Sequence, residues 1–360
     1  MDSQRTICIF TGAGFSKALF DQKLQHEFTD DLLTCETATA FLSDELKHLL
    51  QAIKDIELVM SHFHNLAYSD QRTHDPNWRR HKRDIIFLRT AIAVYFREKF
   101  CTLDLRYANE YKLLMKAFFD KNRIAKDNIF FVTTNYDLGT ERVIIDLFGP
   151  DQYFYPGDCF PRRSSASSAV SIFKLHGSVN WLENRGRNSS NAFQRDRVPE
   201  GFRIHTNLLD ELEVRPLPNR QEFSLQSSDG YKFTPILIPF FYQKHEWLKQ
   251  NKGWERLFST TWRLARDYLH SADEIFFWGY GMPSADHYIF TFLASIIASK
   301  KPKCYVVDLS DYAELNTTLA KMIRHLHQGR EAYYREHKEG LIEYLRCSTS
   351  STESSPGHSA

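Results

Sequence analysis

The chain opens on an apolar, β-branched run from Thr6 to Phe10, broken at once by Gly12 and Gly14, after which Phe15 to Phe20 can start a helix. A strand, a tight turn and a helix form the usual opening of a nucleotide-binding α/β unit. From about Thr37 to Ala125 the period changes. Leu46, Leu49, Leu50 and Ile53, and then Ile85, Leu88, Ile92, Tyr95 and Phe96, recur at helical spacing. Strand character returns at Asn128–Thr133, Ser171–Leu175, Pro235–Ile238, Glu274–Trp278 and Lys303–Asp308. Helical patterns over Asp137–Leu147, Trp247–His270 and Ser284–Ser299 fall between several of these strands. Such alternation predicts an α/β fold with a doubly wound, mostly parallel, Rossmann-like sheet. One domain over 1–347 would carry a helical insertion at about 37–125 and an irregular one at about 182–234, where 184–231 is polar and shows no period. Residues 348–360 have the Ser-rich composition of a disordered tail.

Composition narrows the class. A hydrophobic fraction of 42%, a charged fraction of 25% and 28 Phe with 17 Tyr describe a globular protein with a large core. The formal net charge of +1, from 46 basic and 45 acidic residues, gives no bulk electrostatic case for nucleic acid or an anionic membrane as direct partner. The first ten residues have too short an apolar run for a signal peptide, and Tyr288 to Ala298 is far shorter than a membrane span. Six cysteines are scattered with no close pair, which predicts neither a disulfide framework nor a compact zinc site, and a reducing cytoplasm fits.

Five polar clusters follow predicted strands. Gly12-Ala13-Gly14-Phe15-Ser16 is a turn whose glycines let backbone approach a pyrophosphate at a helix N-terminus. The dehydrogenase fingerprint would need a third glycine where Lys17 stands, and a tight structural turn explains these glycines equally well. Thr133-Thr134-Asn135-Tyr136-Asp137 spills off the next strand into the region where open α/β sheets bind ligands, although Asp137 also suits a helix cap. Lys174-Leu175-His176-Gly177-Ser178-Val179-Asn180-Trp181 places a histidine at a strand end, where an imidazole can act as general base near neutrality. Trp278-Gly279-Tyr280-Gly281-Met282-Pro283 and Val307-Asp308 end two further strands.

In this order the clusters resemble the sirtuin-like superfamily, over most of the chain from Thr11 to Asp308. The resemblance implies NAD as substrate, with phosphate contacts at Gly12, Ala13, Gly14 and Ser16. It implies ribose contacts at Asn135, Asp137 and Gly279, further cofactor contacts at Phe15, Thr134 and Tyr280, adenosine at Asp308, and catalysis by Asn135 with His176 as base. Protein-deacylating sirtuins carry two Cys-x-x-Cys pairs after the His-Gly motif, and this chain has none, so no metal is expected. The helical insertion, and a late motif that runs Gly279-Tyr280, then Pro283, then Asp286, are similar to the NAD-hydrolysing branch found in bacterial antiphage defence. That resemblance implies a regulated NAD-depleting hydrolase releasing nicotinamide and ADP-ribose, gated by homo-oligomerisation or a separately encoded partner. A NAD-dependent deacylase and a NAD or ADP-ribose sensor without turnover are the alternatives.

Other candidates carry a blander reading. His62 and His64 stand two apart on a predicted helix, as do His325 and His327, so neither pair shares a face that could hold a metal. Trp247, Trp254 and Trp262 fall on one helical face, as core or as an oligomer contact.

Overall fold

The computed structural model describes residues 5–20, 25–68, 77–102, 108–122, 124–149, 152–157, 169–187, 203–204, 213–216, 223–226, 231–238, 252–282, 286–307, 317–327, 334–337 and 341–350. Strand β1 (Ile7–Thr11) is buried along its whole length and lies at the centre of a seven-stranded sheet. On one side it pairs with β2 (Ile129–Thr133), followed by β4 (Val170–Lys174) and the two-residue β3 (Tyr153–Phe154). On the other side lie β10 (Glu274–Trp278), β11 (Lys303–Val307) and β12 (Tyr334–His337). Every pairing in this sheet is parallel. The strand order reverses between β1 and β10, the switch point at which such sheets bind ligands beyond their carboxyl ends.

A parallel sheet is covered on both faces, so its strands read as unbroken apolar runs. Ile7 and Ile9 of β1, Phe131 of β2 and Trp278 of β10 point to one face. There they meet residues of α1 (Ala13–Phe20), α7 (Ala108–Lys121), α8 (Gly139–Phe148) and α12 (Leu341–Ser350). Cys8 and Phe10 of β1, Val132 of β2 and Phe277 of β10 face the opposite way. They pack on α9 (Lys252–Ser271), α10 (His287–Lys300) and α11 (Thr317–Leu326). Leu345 of α12 is fully buried in the first layer, and that helix runs to Ser350, so Ser348–Ser350 are helical and not part of a tail.

Between β1 and β2 lie the helices that the periodicity predicts: α2 (Gln25–Thr34), α3 (Glu36–Thr39), α4 (Asp44–Ile53), α5 (Ile56–Tyr68), α6 (Trp78–Thr102) and α7. Within 182–234, where no period could be read, the described residues form an antiparallel sheet in place of irregular chain. It contains β5 (Gly177–Arg187), β6 (Arg203–Ile204), β7 (Glu213–Pro216), β8 (Phe223–Gln226) and β9 (Tyr231–Leu237), in the order β6-β5-β9-β8-β7. Val179 and Leu182 of β5, with Phe233 and Leu237 of β9, share one core with Leu46, Met60, Leu88 and Ile92 of the helical insertion. The two insertions thus bury each other's apolar faces. Trp254 of α9 is a core residue beneath the Arg89 guanidinium, and Trp262, half-buried, packs against the core and donates from Nε1 to the Leu175 carbonyl. Trp247 lies outside the described residues.

Candidate functional site

Register brings the predicted residues to one edge. Thr11 of β1 is level with Thr133 of β2 and Trp278 of β10, and Thr133 is level with Lys174 of β4. The glycine turn, Thr134–Asp137, His176 and Gly279–Tyr280 therefore follow four neighbouring strands at their carboxyl ends.

The turn after β1 is built against the turn after β10. Gly12 N–H donates to the Trp278 carbonyl (3.2 Å) and Gly14 N–H to the Gly279 carbonyl (2.9 Å). A Cβ on Gly12 would sit 2.7 Å from the Gly279 oxygen, and one on Gly279, at φ +60°, would sit 2.2 Å from the Phe15 nitrogen. What these glycines admit is each other, and the amides of Gly12 and Gly14 are spent on that contact. Phe15 is fully buried with its ring stacked on Trp278, whereas Ala13, at the N-terminus of α1, is exposed. At the start of α1 the Gly14 and Phe15 amides donate within the protein, to the Gly279 and Gly12 carbonyls.

Asn135 clasps the turn. Its Nδ2 donates to the Gly12 carbonyl (2.9 Å) and to Ser16 Oγ (3.1 Å), and the Ser16 hydroxyl donates on to Asp137 Oδ1 (3.0 Å). Asp137 Oδ1 also accepts the N–H (2.8 Å) of Gly139, the first residue of α8. Burial raises the Asp137 carboxyl above its usual range, opposed by the Lys174 ammonium and by the Gly139 and Ser16 donors. Lys174, wholly buried, donates to the Asp137 carbonyl and to Glu141 Oε1 (2.9 Å), and Glu141 in turn accepts from the Tyr155 hydroxyl (2.6 Å). This buried ion pair beneath Asp137 had no single-residue signal in the sequence.

His176 is fully buried. Its Nε2 lies 3.1 Å from Asp286 Oδ2, itself buried, and its Nδ1 lies 3.3 Å from the Ile238 carbonyl just past β9. Gly177 turns the chain from β4 into β5 at φ +87°, where a Cβ would fall 2.0 Å from the Ile236 oxygen. Asp286 occupies the N-cap position of α10, yet its side chain makes no capping bond there, and its carboxylate goes to the histidine. Its place in the Gly-Tyr-x-x-Pro-x-x-Asp pattern was visible in the sequence, but an acid before a helix reads as a cap. Tyr280 packs on Phe10, its hydroxyl raised by burial and by the charge of Asp286. Asp308 lies outside the described residues. Among the described residues no group of three or more His, Cys, Asp or Glu could hold a metal, and no helix is long and apolar enough to cross a membrane.

No protein-family model matches the chain. No curated protein matches it either. Among solved structures it is similar to a crystal structure of Sir2 in complex with the inhibitor EX-527, 2'-O-acetyl-ADP-ribose and a deacetylated p53 peptide. Identity there is 13%, the match covers 95% of this chain and 92% of that one, and the TM-score is 0.36.

Proposed function

We propose that the chain binds NAD at the carboxyl edge of its parallel sheet and hydrolyses the nicotinamide–ribose bond. The observation that carries this reading is a buried histidine–carboxylate pair, His176 and Asp286, set one strand away from the Asn135–Ser16–Asp137 chain at the switch point of the fold. Breaking that bond builds positive charge on the ribose. A site for it needs a fixed pyrophosphate, an oriented ribose and an acceptor for the proton of the attacking water. The start of α1 would take the phosphates, Asn135 and Asp137 would face the ribose, and His176, oriented by Asp286, would take the proton. The motif resemblance adds the physiological role, a NAD-depleting effector of antiphage defence gated by self-association or a partner protein.

A sensor without turnover is the second reading, and one observation favours it: both nitrogens of the buried His176 face acceptors, Asp286 and the Ile238 carbonyl. A lone pair must be exposed before that ring can act as a base. Incubating the purified chain with NAD alone and measuring free nicotinamide separates the readings. The hydrolase releases it without any acylated peptide, a deacylase requires the peptide, and a sensor releases none. No release at any protein concentration, with or without an acylated peptide and with NAD binding intact, would discard the enzyme.

A further inference from the structure

The polar cluster around His176 extends beyond the residues that the hydrolase reading uses, and its far end lies on the helical insertion. Tyr136 follows Asn135 in the turn before α8, and its ring meets the His176 imidazole edge to face with centroids 6.4 Å apart. The Tyr136 hydroxyl donates to the Ile238 carbonyl at 2.6 Å, the same oxygen that His176 Nδ1 faces at 3.3 Å. Glu57 of α5, also buried, hydrogen-bonds this phenol. Arg89 of α6, buried as well, lies near enough to act on the phenol electrostatically and meets His64 Nε2 at 2.6 Å.

A single phenol proton cannot serve two acceptors fully, so the Ile238 carbonyl and the Glu57 carboxylate compete for it. Burial, followed by the charge and hydrogen bond of Glu57, holds the phenol well above its ordinary range, so it remains a donor at all working pH values. The share of that proton given to Ile238 decides how strongly the carbonyl oxygen draws a proton onto His176 Nδ1. This inference rests on the reading of His176 as base. We propose that Tyr136 is a positioning residue for His176, and that Glu57 makes the helical insertion part of the surroundings of that base.

Titratable groups set directly against His176 include Asp286 and Tyr136, with Glu57, Arg89 and Tyr280 behind them. Tyr136→Phe leaves the Ile238 carbonyl to His176 alone and removes the proton that offsets Glu57. Both changes favour the imidazolium, so the titration of His176 moves up, by about half a pH unit. Glu57→Gln removes a buried negative charge, and the titration moves down by a similar amount. A role confined to packing would lower the melting temperature without producing opposite displacements.

The test is an NMR titration of the full chain labelled with ¹⁵N-histidine, His176 being assigned by the signal lost in His176→Gln. The pH profile of nicotinamide release is followed in parallel. Opposite displacements in the two variants support the proposal. Displacements of one sign, unmoved titrations, or a His176 signal that does not titrate in any of the proteins over their folded range overturn it. If Tyr136→Phe does not fold, the absence of a downward shift in Glu57→Gln overturns it alone. Failure of the base reading shows separately, as wild-type nicotinamide release by His176→Gln, since the resonances are still read without turnover.

Discussion

The two halves of the candidate site are built in opposite ways. The half around Gly12, Ser16, Asn135 and Asp137 is assembled by the first strands of the parallel sheet, and its side chains hold one another. Thr134, Asn135 and Asp137 are 5%, 8% and 6% exposed, and Ala13 is open beside them. The half around His176 is sealed at 0% exposure and takes its contacts from Ile238, past the second sheet, and from Asp286, 110 residues along the chain. The first half is held between neighbouring strands of one sheet, through hydrogen bonds that themselves span 119 to 123 residues of chain. The second is held from outside that sheet, by elements that must let go of one imidazole nitrogen if His176 is to take a proton.

The strongest way to break this comparison is His176→Ala. If the sealed half is catalytic, nicotinamide release falls by about 10²–10⁴-fold. Because the ring is buried against Asp286, the variant also leaves that carboxylate unpartnered by the imidazole, and unfolding in urea should show a loss of about 1–3 kcal/mol. Full activity in the folded variant would end the catalytic assignment.

The open half is probed through its foundations. Lys174→Met strands Glu141 in the interior, where both partners are under 4% exposed, and should cost about 3–5 kcal/mol. Lys174→Met with Glu141→Leu should recover part of that, measured on the same urea curves. A cost no larger than that of an exposed pair would show that water reaches the ion pair. Gly279→Ala tests the contact between the two turns. A methyl at φ +60° facing the Phe15 nitrogen should cost about 2–4 kcal/mol. A neutral result would mean that the turns can separate and that the glycines serve a ligand instead of each other.

The parallel sheet was legible because strands covered on both faces show as short apolar runs, and β1, β2, β4, β10 and β11 all fall where such runs stand. The antiparallel sheet was legible only at Pro235–Ile238, which overlaps the end of β9; Val179 and Leu182 of β5 and Phe233 of β9 stand among polar residues and acquire meaning only against the insertion helices. Asn135, Asp137 and His176 stood out as polar residues ending apolar runs. Asp286, Glu57 and Lys174 did not, since each is an ordinary charged residue on a helix end, a helix face or a strand until the fold surrounds it.

The smallest expected effect is the most direct measure of how closed the nominally open half is. Asp137 accepts from Ser16 and Gly139 through Oδ1, and an asparagine oxygen can accept both, so Asp137→Asn keeps those bonds while removing the charge. Burial raises the folded-state pKa of Asp137, against the pull of Lys174. A carboxyl whose pKa is raised by folding binds its proton more tightly when folded. It therefore lends stability below its unfolded value of about 3.9 and loses that stability as pH rises through the folded value. Melting curves of the wild type should accordingly fall behind those of Asp137→Asn as pH climbs from about 4, with a gap that stops growing once the folded carboxyl is fully ionised. A gap independent of pH would mean that Asp137 is hydrated like a surface acid. A gap of opposite sign would mean that the Lys174 ammonium outweighs burial, and that this half carries a fixed negative charge beside the place where positive charge on a ribose would develop.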